Sequence, residues 1–186
     1  TVKELIALAK AQPGKIDYSS SGNGTPAHLA GEVFKSLSGA DIHHVPYKGS
    51  THALTAVVSG EVGVMFSPVP IALPFVKNGR LRVLGITTKE RSPVMPDVAP
   101  IAELGVPGYE IVQWYAIFVR SGTPREIVLK LNAETGRILK LPDVVEKLAA
   151  QGANPVAGTP EQLDKFWKSE LVKWAKVIKE TGATVD

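Results

Sequence analysis

The sequence predicts an α/β chain: a mixed or parallel sheet lobe with flanking helices, followed by a run of C-terminal helices. Three observations carry this. Short β-branched segments alternate with apolar stripes of helical period as far as Thr87. The helical stripes stop at Gly39, Gly60 and Gly79, where glycine relieves the left-handed turn that ends many helices. Beyond Thr123 the pattern becomes almost wholly helical. A hydrophobic content of 44% over 186 residues is enough to build a core, so disorder is excluded.

Each element has its own justification. Thr1–Ala11 reads as a helix with Val2, Leu5, Ile6 and Leu8 to one side, and Ile16–Ser20 as a short strand. Pro26 suits a first helical position, and Leu29, Ala30, Val33, Phe34 and Leu37 form the stripe that follows. Ile42–Pro46 is a strand, Ser50–Ser59 a helix and Val62–Phe66 a strand. A helix interrupted at Pro74 covers Pro70–Asn78, and the apolar run Leu81–Thr87 is expected as a strand. Four prolines between Lys89 and Gly108 mark an extended loop, with one short helix near Ile101–Leu104. Tyr109–Arg120 is a strand or crossover. Thr123–Lys140, Pro142–Gln151 and Pro160–Thr181 are helices, with a small strand expected at Asn154–Val156.

The helix starts differ from one another. Thr followed three residues later by Glu or Gln is a capping box, in which side chains satisfy the helix's own free N–H groups. Thr1 with Glu4, Thr123 with Glu126 and Thr159 with Gln162 fit this pattern. Thr25 does not, because the matching position is His28. It closes the run YSSSGNGTPAHLAG, Tyr18–Gly31, which holds no acidic residue. A loop of hydroxyls, amides and glycines opening an uncapped helix suits an anion such as a carboxylate or phosphate. Taken alone it is a weaker signal than a P-loop, since neither the Lys-[Ser/Thr] pair nor G-x-G-x-x-G is present.

Composition excludes several classes. The formal net charge of +3 is spread along helix faces, unlike the clustered basic face of a nucleic-acid binder. Without cysteine there is no disulfide, thiolate chemistry or Cys-ligated zinc. No apolar run reaches membrane-spanning length, and no secretory leader opens the chain, which fits a processed protein or a fragment. His43 and His44 fall on opposite strand faces and His52 adds no ligand spacing, so no metal site is expected.

Four segments together carry a resemblance: SSSGNGTPAHLAGEVFK, HVPYKGSTHALTAVVSGEVGVMF, GRLRVLGITTKERSPVMPDVAPIAELGVPGYE and AAQGANPVAGTPEQL. In this order, along essentially the whole chain, they resemble the extracytoplasmic solute receptors of tripartite tricarboxylate transporters, the Bug family. That resemblance implies a periplasmic-binding-protein-like fold, with two lobes and the ligand in a cleft. Residues 1–110 resemble the second lobe, 111–122 the crossover or hinge, and 123–186 the C-terminal segment that completes an otherwise incomplete first lobe. The family's Pro-Gly-Gly loop has no counterpart here, so the chain resembles a truncated receptor or part of a longer one.

The resemblance further implies a periplasmic, non-catalytic protein with no cofactor. It would capture a small organic anion, a carboxylate, and deliver it to membrane permease subunits. Ser20, Ser21, Gly22, Asn23, Gly24 and Thr25 match the family's second-lobe binding loop. His28, on the first turn of the same helix, either faces the cleft or orients the loop. The resemblance favours Tyr47 near the cleft and Gly49 as a tight backbone position. Ser67 departs from the Asp or Asn common in relatives, implying a less charged pocket without a preference for amino acids. Trp114, Trp167 and Trp174 are expected in packing. Two other classes compete: a self-associating module, for example a domain-swapped homodimer, and a hydrolase using a serine of the Tyr18–Thr25 loop. The hydrolase lacks a G-x-S-x-G elbow.

Overall fold

The computed structural model of the chain describes residues 1–184. It contains two units, Thr1–Gln113 joined by the end of the last helix from Val177, and Trp114–Lys176.

The first unit is built on three parallel strands in the order β2-β1-β3: β1 (Ile16–Ser20), β2 (Ile42–Pro46) and β3 (Val64–Met65). Helix α1 (Val2–Ala11) precedes β1, α2 (Pro26–Ser38) links β1 to β2, and α3 (Ser50–Ser59) links β2 to β3. The chain therefore steps from β1 to one neighbour and then across to the other, which makes β1 a switch point. Successive strand residues point to opposite faces. Tyr18 donates its hydroxyl to Glu32 of α2, while Ser19 donates to the Ala53 carbonyl of α3, so these helices cover opposite faces of the sheet.

Tyr18, Phe34, Ile42, Val106 and Tyr109 are the large, fully buried side chains of this unit's core. Phe66 meets Tyr18 edge-on at 6.0 Å between ring centroids and Phe34 at 5.7 Å. Tyr109 donates to the Ala30 carbonyl at 3.1 Å, which ties the segment after the proline-rich loop to α2. Gly31 permits the closest approach: a Cβ there would lie 2.2 Å from Tyr18 Cε2.

Several elements are as the sequence reads them, including β1, β2, α3 and the 3-10 turn Ile101–Leu104. Others differ. Val62–Phe66 shortens to two paired residues, because only Tyr18 and Ser19 of β1 face it in register. Leu81–Thr87 is not a strand. Its apolar side chains pack, but its backbone finds a ladder partner only at Ile86, which bridges Pro100. Helix α4 (Val69–Lys77) starts one residue early and contains Pro74.

The second unit holds the extended stretch from Trp114, then α5 (Arg125–Ile138), α6 (Pro142–Ala150) and α7 (Pro160–Thr181) as far as Lys176. Trp114 and Trp174 both donate indole N–H groups to Glu170 Oε2, at 3.1 and 3.0 Å. Trp167 stands edge-on to Trp114 and Phe118, so the tryptophans pack as expected. Asn154–Val156 is not a strand and has no ladder partner among the described residues. Thr123 makes no capping box: its hydroxyl turns back to the Arg120 carbonyl, and Pro124 occupies the cap position of α5.

Candidate functional site

Three parallel strands bring three loops to one edge of the sheet, each leading into a helix. These loops are Ser21–Thr25 before α2, Tyr47–Gly49 before α3, and Phe66–Pro68 before α4. The first N–H groups of any helix have no partner within the helix. At all three of these starts no side chain caps them, and no acidic residue lies in the first turn. The remaining helices each carry an acid there: Glu4, Glu126, Asp143 and Glu161. The helix dipole places partial positive charge at each N-terminus, so the sheet edge concentrates unneutralised positive ends and free donors.

The loop after β1 is held by its own side chains. Thr25, instead of capping α2, donates to the Gly22 carbonyl at 2.7 Å. The Gly22 N–H donates to Ser20 Oγ at 3.1 Å. The Gly24 N–H donates to His28 Nδ1 at 3.0 Å, so His28 turns back onto the loop. Ser21 is half-buried, and its hydroxyl makes no hydrogen bond among the described residues. Gly22, Asn23 and Gly24 are likewise half-buried. Tyr47 remains at the edge through its backbone, whose N–H donates to the Ser20 carbonyl, while its hydroxyl donates to Glu61 at 2.8 Å. Gly49 has a φ of 107°, a conformation that L side chains rarely adopt, and its carbonyl accepts the first helical bond of α3. Ser67 is half-buried and donates to the Pro68 carbonyl at 3.2 Å.

Sequence reasoning missed His44. It lies opposite Tyr18 in the β1–β2 register, on the α2 face. Its ring stacks on His28 with centroids 4.0 Å apart and planes 11° from parallel, and its Nε2 shares a 2.6 Å hydrogen bond with Ser20 Oγ. The available signal was the strand alternation that puts Tyr18, Ser20 and His44 on one face. Burial lowers the pKa of both rings, and for His44, where the neighbouring His28 adds to the effect, it falls to about 4. Burial and the adjacent Glu32 carboxylate push the Tyr18 hydroxyl well up, which keeps it a donor.

A serine beside a histidine invites a comparison with a nucleophile and its base. Ser20 has no exposed surface, however, and its oxygen already accepts from Gly22. No carboxylate bonds to His44 among the described residues; Asp17 pairs instead with His43, on the opposite face. Among the described residues no three His, Asp or Glu side chains are grouped as a metal set. No helix among them is long and apolar enough to cross a membrane.

Comparison with known proteins adds four findings. Residues 1–183 match the family model described as the tripartite tricarboxylate transporter family receptor. Protein BugT of Bordetella pertussis is 39% identical over 179 residues, which are 96% of this chain and 55% of BugT. A solved R. palustris protein with adipate superposes with a TM-score of 0.91 at 35% identity, covering 100% of this chain and 62% of that one. MatC from Rhodopseudomonas palustris, with bound malate, gives 0.79 at 30% identity, over 95% of this chain and 61% of its own. The chain thus spans about half to three fifths of these relatives' length.

Proposed function

Since the chain belongs to the tripartite tricarboxylate transporter receptor family, we propose that it supplies one wall of a binding site for a small organic anion, a carboxylate. This family consists of solute-binding receptors. The observation that carries the proposal is the sheet edge where three helices begin without a cap or an acid. The ligand contacts are assigned to the loop Ser21–Thr25, with Ser21 and the backbone donors of the three helix starts nearest the anion. Ser20 and His28 support the loop from behind, and Tyr47 and Ser67 flank it. Adipate and malate in the structures of relatives support a dicarboxylate.

In this reading residues 1–110 form the second lobe, 111–122 the hinge and 123–186 the C-terminal segment of the other lobe. The division of the chain at Gln113 supports a hinge in that stretch. The protein works in the periplasm, hands its ligand to membrane permease subunits and carries out no chemistry on it.

Calorimetric titration with adipate and malate tests the site. A hydrogen bond to a charged group contributes roughly 1.5–3 kcal/mol, so Ser21→Ala should weaken binding about tenfold or more, while Thr25→Ala, which removes the neutral bond to the Gly22 carbonyl that shapes the loop, should weaken it about two- to tenfold. Unchanged affinity in both variants would remove the loop from the site.

One observation favours self-association as a second property. Tyr115, Ile117 and Phe118, in a single extended segment, are 87%, 69% and 60% exposed. A second copy of the chain covering these residues gives a dimer by light scattering; a monomer at all concentrations rejects it.

A further inference from the structure

We propose that His28 and His44 are positioning residues that hold the loop Ser20–Gly24 in its ligand-receiving shape only while both rings are neutral. The geometry is specific. His28 Nδ1 accepts the Gly24 N–H, so in this arrangement it carries no proton. His44 lies flat against His28 at 4.0 Å and holds Ser20, which in turn accepts the Gly22 N–H. The two rings therefore fix both glycines of the loop, Gly22 and Gly24, from the buried side. A proton on His28 Nδ1 would meet the Gly24 N–H donor head on. A proton on either ring would set a positive charge against its stacked neighbour.

The surrounding charges do not remove this conflict. On α2, Glu32 favours the protonated rings, but its carboxylate already accepts from Tyr18 of β1 and from Lys35, and Lys35 opposes them. On β2, His43 adds opposition to charging His44 and is itself paired with Asp17 of β1. Burial acts on both rings in the same direction as the stack.

The sign with pH follows. An unfolded histidine takes up its proton near pH 6.5, whereas these rings resist it. Their arrangement is intact above about pH 6.5 and loses stability as pH falls from there towards about 4.

The proposal's ligand consequence rests on the carboxylate reading above, so its test has an arm that needs no ligand. In nitrogen-15-labelled protein without ligand, the Gly24 amide signal should move with the titration of the His28 ring, and so should that of Gly22. In His28→Asn, whose side-chain oxygen can replace Nδ1 as acceptor, the Gly24 signal should hold its position between pH 7.5 and 5. A Gly24 signal in the native chain that ignores the His28 titration overturns the proposal.

The second arm is adipate titration at pH 7.5, where adipate keeps one charge state. His28→Ala should bind about three- to tenfold more weakly, the loss of one neutral hydrogen bond, and His28→Asn within about twofold of the native chain. Equal weakening in His28→Asn and His28→Ala also overturns it. If the native chain binds no dicarboxylate, the carboxylate reading fails, and the positioning claim is decided by the Gly24 signal alone.

Discussion

Two kinds of helix start stand in contrast in this chain. Helix α7 begins with a reciprocal capping box: Gln162 N–H donates to Thr159 Oγ1, and Thr159 N–H donates to Gln162 Oε1, with Glu161 beside them. Helix α2 begins with Thr25, which has the same side chain but spends its hydroxyl on Gly22 and leaves the helix start open. The chemistry of the cap residue is equal; the third residue decides, Gln162 in one case and His28 in the other. Helices α1 and α7 complete their own first turns, while α2, α3 and α4 leave theirs to be completed from outside. The latter three follow directly from the carboxyl ends of the three strands.

The contrast can be broken most strongly by giving α2 the acid that the other class carries. Ala27→Asp should weaken adipate binding by at least about tenfold, since a like charge beside the anion repels it by more than about 1.4 kcal/mol. The same change should leave the thermal midpoint unchanged or raised, because an acid in a first turn stabilises a helix by about 0.3–1 kcal/mol. Affinity that survives the substitution counts against the open start as the anion site.

Next in size is Gly31→Ala, which tests how α2 is held against the sheet. The added methyl must displace the Tyr18 ring, which the fully buried core resists. Urea unfolding should show a loss of about 1–3 kcal/mol or more, and adipate binding should fall with it as the loop shifts. A neutral result would mean that the Tyr18–α2 contact does not set the loop.

The smallest effect belongs to the self-satisfied class. Thr159→Ala should cost about 1 kcal/mol by thermal or urea unfolding and leave adipate affinity untouched. A binding defect there would erase the distinction between the two kinds of start.

Much of this contrast was legible in the sequence, because capping is local. Thr1 with Glu4 and Thr159 with Gln162 form the boxes that their spacing announces, and Thr25 with His28 does not. Thr123 with Glu126 shows the limit of the pattern. Pro124 starts the helix one residue later, and the threonine serves a turn instead. Apolar runs were less reliable, since Leu81–Thr87 reads as a strand by side chains alone while pairing depends on a distant neighbour. The convergence of the three loops and the His28–His44 stack were beyond local reading. Both depend on the strand order β2-β1-β3 and on the register that sets His44 opposite Tyr18.

The most direct test of the central claim is an adipate titration of the nitrogen-15-labelled chain, followed amide by amide. The open starts should respond: Ser21–His28 most, then Ser50–His52 and Ser67–Ile71, while Glu161 and Gln162 of the capped start stay fixed. Shifts at the capped start, or none at the three open ones, would contradict the account.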